Sequence, residues 1–352
     1  MLSLCWLGIR HLRTMIAPLL DQQHKDKRMD FEPVIKSFFA PEALADRLEA
    51  AYGFQDVHCQ LITATLRDVY LVVSHVGRHI LIIYRHNQRT WDEIAAEWRL
   101  VDYLAQHAVP VAPGIATIAG EQIFTLQAPE GVRYAVVTTF VSGQHLRRRP
   151  SAEATRRYGA IIATIHMLAD QAPTAFGRTT KDLAVRLDQA LAGIRAILGD
   201  GLTERAYLEE CGQELQARLQ ALPKEPSSYG IIHGDAIRAN ALVGDDGSVT
   251  VIDFDWYGLG WRTYDLASYL LTIRGTPNEQ PFAEAFLAGY TAVRPLPAHE
   301  YRLLPLFEAV RGMLEIGTPA LHVNLWGSAY LESFFAQSLD RLKRAMQQLA
   351  AA

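Results

Sequence analysis

The chain has 352 residues, 49% of them hydrophobic and 20% charged, with a formal net charge of −4. That length and balance suit two unequal lobes with substantial cores and exclude a fibre or a solvated tail. A mildly acidic total gives no global basic field, so neither nucleic acid nor an anionic membrane is expected as a partner.

The first twenty residues are apolar but broken by Arg10, His11 and Arg13, too short a run to span a bilayer. Residues 1–30 are therefore expected to form a poorly ordered N-terminal extension. Helical spacing covers 41–53, and β-rich runs follow at 60–66, 69–75 and 79–85, an antiparallel meander with a turn at Val76, Gly77 and Arg78. Thr90 with Glu93 three residues on reads as a capping box, opening a helix that runs to about His107 and stops before Pro110 and Pro113. Strand patterning returns over 114–140 and ends in YAVVTTFV. After Pro150, Tyr158, Ile161, Ile162, Ile165 and Leu168 mark one face of a helix over 151–170, and another helix covers 181–198. The runs YGII and VTVIDF, with a turn at GDDGS, read as one small hairpin, and from Tyr264 onward the chain reads as helix. The class is α+β: a small β-rich N-lobe over 31–142 and a larger α-helical C-lobe over 143–352, joined near 138–146. Cys5, Cys59 and Cys211 are scattered and form no CxxC pair, which fits a reducing cytoplasm rather than a disulfide framework or zinc site.

The chemistry concentrates in IIHGDAIRAN at 231–240 and VTVIDFDWYG at 249–258. Phosphoryl transfer needs an in-line hydroxyl, a group to take its proton and cations that neutralise a triphosphate. Asp235 suits the hydroxyl. Asn240 and Asp253 offer hard oxygens to Mg2+, and so sparse a set leaves coordination positions for phosphate and water. Asp255 reads equally as a further metal ligand or as a carboxylate that orients the loop or meets substrate. His233 reads as a structural histidine, because no metal-spaced histidine accompanies it.

HGDAIRAN with IDFDWYG resembles the phosphotransferase family that includes aminoglycoside, choline and homoserine kinases, a branch of the protein-kinase-like fold. ILIIYRHNQRTWDEIAAEWRLVDYLAQHAVPVAPGI resembles that family's third strand and following helix, VVTTFVSG its hinge, IATIHMLAD its first long helix and GWRTYDLASYL the segment after the metal loop. The resemblance spans roughly 35–345 and implies a two-lobed kinase that uses ATP and Mg2+ to phosphorylate a small-molecule hydroxyl. It makes Asp235 the catalytic aspartate, Asn240 and Asp253 the magnesium ligands, and His233 a scaffold residue. It sets Asp265 behind the catalytic loop, and the backbone of Thr139, Phe140 and Val141 at the adenine edge. The family also pairs a third-strand lysine or arginine with a helix glutamate. Here Glu97 is present, but the cation position holds Ile82. Arg85 has the wrong parity on an unbroken strand and reaches this side only through a bulge; Arg67 and His86 are the other candidates for the positive charge. Two alternatives stand beside the small-molecule kinase: a nucleotide-binding degenerate module, motivated by Ile82, and a protein serine/threonine kinase of the bacterial stress-response type.

Overall fold

A computed structural model describes residues 34–171, 176, 182–199 and 202–351. The expectation for residues 1–30 lies outside the described residues. The chain divides into two compact units, one formed by Ile35–Leu183 and Pro223–Glu308, the other including Ala184–Leu222 and the residues from Ala309 onward.

In the first unit, helix α1 (Pro41–Tyr52) starts with proline in its first turn, where no amide is needed, and stops at Gly53, whose φ of 69° suits glycine. The sheet comprises β1 (His58–Ala64), β2 (Arg67–Ser74), β3 (Gly77–Tyr84), β4 (Gly114–Ile115), β5 (Phe124–Ala128) and β6 (Gly131–Thr139). Its order is β1-β2-β3-β6-β4, with β5 also on β6, and every pairing is antiparallel. Ser74 pairs with Gly77, so the β2–β3 turn is His75 and Val76, one residue earlier than the sequence reading. Alternation sends Tyr70, Val72, Leu81, Ile83, Ala135 and Val137 to one face, where they pack with Leu44 and Leu48 of α1. Arg67, Val69 and Ile82 belong to the other face.

Helix α2 (Trp91–Gln106) opens on the capping box: Thr90 Oγ1 accepts from the Glu93 amide at 3.2 Å, and Glu93 Oε2 accepts from the Thr90 amide at 2.9 Å. The chain then passes through β7 (Gln144–His145) into α3 (Ala152–Gln171), with α4 (Leu183–Ile197) and α5 (Thr203–Ala221) following. The expected single hairpin is instead two. Val249–Val251 (β10) pairs with Ala241–Val243 (β9) around GDDGS, whereas Tyr229–Ile232 (β8) pairs with Gly258–Trp261 (β11). The turn closes on the apolar run nearest to it, and YGII is left to a distant partner. Residues 233–240 and 252–257 thus run between anchored strands.

Helix α6 (Thr263–Ile273) follows β11, and then α7 (Glu279–Thr291) crosses α3 at backbone distance. A Cβ at Gly159 would lie 2.1 Å from the Phe286 carbonyl oxygen, and one at Gly289 1.9 Å from that of Arg156. Tyr269 stacks on Phe286 beside this crossing, with ring centroids 4.0 Å apart. The remaining helices are α8 (Ala298–Tyr301), α9 (Leu304–Leu321), α10 (Val323–Trp326) and α11 (Ser328–Ala351). Within the second unit, Gly317 lies close against Ala190 and Gly212 against Leu191, and Arg341 pairs with Glu315 at 3.4 Å. Among the described residues no helix is long and apolar enough to cross a membrane.

Candidate functional site

The loop after β8 is held from behind by a buried carboxylate. Asp265, in the first turn of α6, accepts from the amides of His233 at 2.7 Å and Gly234 at 2.8 Å, the latter at φ 77°, a conformation open to glycine. The same carboxylate accepts from His166 Nε2 at 2.9 Å, and His166 Nδ1 lies 3.0 Å from the Tyr290 hydroxyl. This geometry fits a neutral imidazole, with Nε2–H donating and Nδ1 accepting. Burial holds the His166 pKa below its ordinary value. Burial also pushes Asp265 upward, but the hydrogen bond from His166, the nearby imidazoles and the loop amide outweigh it and leave the carboxyl below its ordinary range.

On the front of the loop, Asn240 Nδ2 donates to the backbone oxygen of Asp235 at 2.9 Å and to its Oδ2 at 2.7 Å. With the amide nitrogen turned toward Asp235, the amide oxygen is the end that faces elsewhere. Ile252 N donates to the Asn240 carbonyl at 3.0 Å, which brings the residue before Asp253 against the loop after β8. His233 ties the same two segments together. Its Nδ1 accepts from the Asp235 amide at 3.3 Å, and its Nε2 lies 3.2 Å from the Ile252 carbonyl. Asp253 adopts φ 67° and ψ 69°, a left-handed conformation that aspartate tolerates better than most residues. Its side chain is 38% exposed, whereas that of Asp255 is 4% exposed.

The opposite wall comes from the β-rich part of the same unit. Arg67 is the first residue of β2, and it pairs with Tyr84; Val69 pairs with Ile82. Arg67 therefore shares the face of Ile82, one strand across and two residues along. Its guanidinium lies 3.4 Å from Glu97 Oε1, forms an ion pair with Asp253, and stands 5.7 Å from the centre of the Tyr84 ring. Burial works against its charge, but Asp253, Asp255 and Glu97 outweigh it and hold the pKa well above the ordinary arginine value. Arg89, just before the α2 cap, pairs with Asp255 at 3.0 Å. The sequence reading missed Arg89: it precedes a cap rather than lying on a periodic face, and its partner is 166 residues away. His86 does not fill the position of the missing strand cation, because its Nδ1 meets the Val132 carbonyl at 2.9 Å.

Of the three residues assigned to the adenine edge, Thr139 ends β6 and its amide donates to the Pro113 carbonyl at 3.1 Å. That amide is committed within the protein. Phe140 lies under the Arg78 guanidinium, 4.1 Å from ring centre. Val141 follows it in the connection to β7.

The donor set fits a hard divalent cation: the amide oxygen of Asn240 and the partly exposed carboxylate of Asp253 are hard oxygen donors on adjoining segments. Among the described residues no group of three or more His, Cys, Asp or Glu side chains is placed to hold a metal. A cation here would draw on amide and external oxygens as well.

Residues 58–302 match the model of the phosphotransferase enzyme family. An uncharacterised protein of Deinococcus radiodurans is 33% identical over 315 residues, covering 88% of this chain and 91% of the relative. A homoserine kinase of Rhodospirillum rubrum is 31% identical over 242 residues, 67% of this chain and 71% of that enzyme. Among solved structures, amicoumacin kinase hAmiN in complex with AMP-PNP, Ca2+ and Ami superposes with a TM-score of 0.72 at 20% identity, covering 86% of this chain and 94% of its own. A spectinomycin phosphotransferase in complex with ADP and spectinomycin gives a TM-score of 0.61 at 14% identity, covering 87% and 94%. These likenesses share the protein-kinase-like architecture. The chain belongs to the phosphotransferase enzyme family and is a small-molecule kinase by membership.

Proposed function

We propose that this protein transfers the γ-phosphate of ATP to a hydroxyl group of a small molecule such as an aminoglycoside, an amino alcohol or a hydroxy amino acid. The observation that carries the reading is the placement of Arg67 between Glu97 and Asp253, close to the segment that presents Asp235 and Asn240. This arrangement brings a buried cation to the wall where the nucleotide phosphates belong. It favours an active enzyme over a degenerate module, because the charge lacking at Ile82 is supplied from β2.

In this reading Asp235 accepts the acceptor hydroxyl's hydrogen bond and takes its proton at a carboxylate oxygen, and Asn240 fixes that carboxylate through Nδ2. Arg67 holds the phosphates and excludes water from them, and Glu97 keeps Arg67 extended. The backbone of Phe140 and Val141 meets the adenine edge. Asn240 and Asp253 would hold Mg2+, which when bound supplies charge neutralisation on the phosphate oxygens. His233 and Asp265 shape the loop, and Arg89 holds Asp255 against it. The division into an N-lobe ending near residue 142 and a C-lobe after it belongs to the same proposal, as does a cytoplasmic location, where ATP is available.

The test is a screen of purified protein with ATP and magnesium against amino alcohols, hydroxy amino acids, sugars and aminoglycosides, reading ADP release. Acceptor-dependent ADP supports the proposal. Measurable ATP binding with no acceptor-dependent ADP across these classes moves the assignment to a nucleotide-binding module.

A further inference from the structure

Behind the strand that carries Arg67 lies a second charged cluster that phosphoryl transfer does not use. Alternation along β2 sends Asp68 to the face opposite Arg67. There it is fully buried, with Lys36 Nζ 2.6 Å from Oδ1 and Arg133 Nη2 2.6 Å from Oδ2. Arg133 also donates to the Tyr84 carbonyl at 2.9 Å and the Ser37 carbonyl at 3.0 Å. Glu130 stands 3.7 Å from Arg133 and accepts from the Ser37 hydroxyl at 2.7 Å.

Arg85 follows β3 and keeps the parity of Leu81 and Ile83, which directs it to this same face. It is only 6% exposed, and Nε, Nη1 and Nη2 all lack a hydrogen-bond partner among the described residues. Three cations thus meet two carboxylates, and both carboxylates are engaged by the other two cations or by Ser37. Burial lowers the pKa of Arg85, Asp68 opposes that shift and Arg133 adds to it. A buried guanidinium with five donors and no acceptor is among the least favourable arrangements a fold can contain.

We propose that Arg85, with Lys36 and Arg133, forms a binding site for a small oxyanion, a phosphate or carboxylate group, on the sheet face opposite the phosphoryl-transfer site. The planar guanidinium fork matches two oxygens of either group, and one added negative charge balances the cluster. The site backs directly onto the nucleotide wall. Arg67 and Asp68 are consecutive on β2, Tyr84 and Arg85 are consecutive at the end of β3, and Arg67 pairs with Tyr84.

The test is thermal unfolding of the full chain in chloride buffer, titrated at constant ionic strength with inorganic phosphate or with acetate. It compares wild type, Arg85→Met and Arg67→Met. Wild type is expected to show a saturable rise in Tm with at least one of the two anions, and the better anion identifies the group. Arg67→Met retains that rise and Arg85→Met loses it. In chloride alone Arg85→Met is at least as stable as wild type, because an apolar side chain replaces an unpaired buried charge. Equal responses of wild type and Arg85→Met to both anions would overturn the proposal. So would a rise abolished by Arg67→Met, which would place the anion in the phosphoryl-transfer site, or an Arg85→Met protein less stable than wild type in chloride, which would mean that Arg85 already has its partner within the chain.

Discussion

Arg67 and Asp253, 186 residues apart, form an ion pair that joins the first residue of β2 to the residue expected to hold the metal. Because Arg67 also meets Glu97, one guanidinium on β2 stands where, in the proposed function, it takes the task that the family resemblance assigns to a residue of β3. The strand register makes this exchange possible. Arg67 and Ile82 share a face on neighbouring strands, so a side chain as long as arginine reaches the same wall from either origin.

Replacing Arg67 with Met is therefore expected to weaken nucleotide binding by about 10- to 100-fold, the range of one or two charge-assisted hydrogen bonds. Adding Ile82→Lys to that variant is expected to restore part of the loss, since lysine at position 82 would point to the same wall. Isothermal titration of ATP into the three proteins checks both statements. Failure of the second substitution to restore any affinity would show that the two positions are not equivalent.

Asp253 has two partners in this scheme, Arg67 and the metal. Asp253→Asn is expected to abolish the gain in ATP affinity that magnesium gives the wild type, while leaving metal-free ATP binding within about threefold, because Arg67 keeps Glu97. Titrations with and without magnesium separate the two effects. A variant that still gains affinity from the metal would remove Asp253 from the ligand set.

Stability should fall on mild acidification. The buried His166 is held below its ordinary pKa, so between that ordinary value and the lower folded one the unfolded chain binds more protons than the folded chain. Stability from this group is full above about pH 6.5 and is lost as pH falls toward the folded pKa. Asp265 is depressed as well, so its contribution persists to lower pH and disappears only as the carboxyl titrates at its folded value. Urea midpoints measured between pH 8 and pH 5 should decline. They should decline less in His166→Gln, which cannot take up the proton.

The α3–α7 crossing admits no side chain at its centre. Gly289→Ala would place a methyl group against the Arg156 carbonyl, and forcing the helices apart is expected to destabilise the fold by about 1–3 kcal/mol or more. A lower urea midpoint with an unchanged slope would show this. An unchanged midpoint would mean that the two helices separate without penalty.

What the sequence reveals about this molecule follows the distance over which the information acts. The Thr90–Glu93 cap is readable because both of its hydrogen bonds close within three residues. Asp235, Asn240 and Asp253 are readable as a group because they lie on two short segments, separated by the β9–β10 hairpin. The pairing of YGII is not, because its partner GLGW lies beyond that hairpin and competes with the nearer VTV. The part played by Arg67 is only half legible. Sequence leaves it as one of several candidates for the charge missing at Ile82, beside His86 and a bulged Arg85, and the choice among them depends on strand register. Arg89 is invisible for the same reason: nothing local to it marks Asp255 as its partner.

The most direct measurement is transfer of label from [γ-32P]ATP to an organic acceptor identified in the screen, comparing wild type with Asp235→Asn. The expected result is a labelled phosphomonoester from wild type, with turnover reduced by roughly 10²- to 10⁴-fold in the variant and ATP affinity within about threefold of wild type. Equal transfer by both proteins would contradict the role of Asp235, and label appearing only as inorganic phosphate in wild type would contradict the assignment of a kinase that acts on a small-molecule hydroxyl.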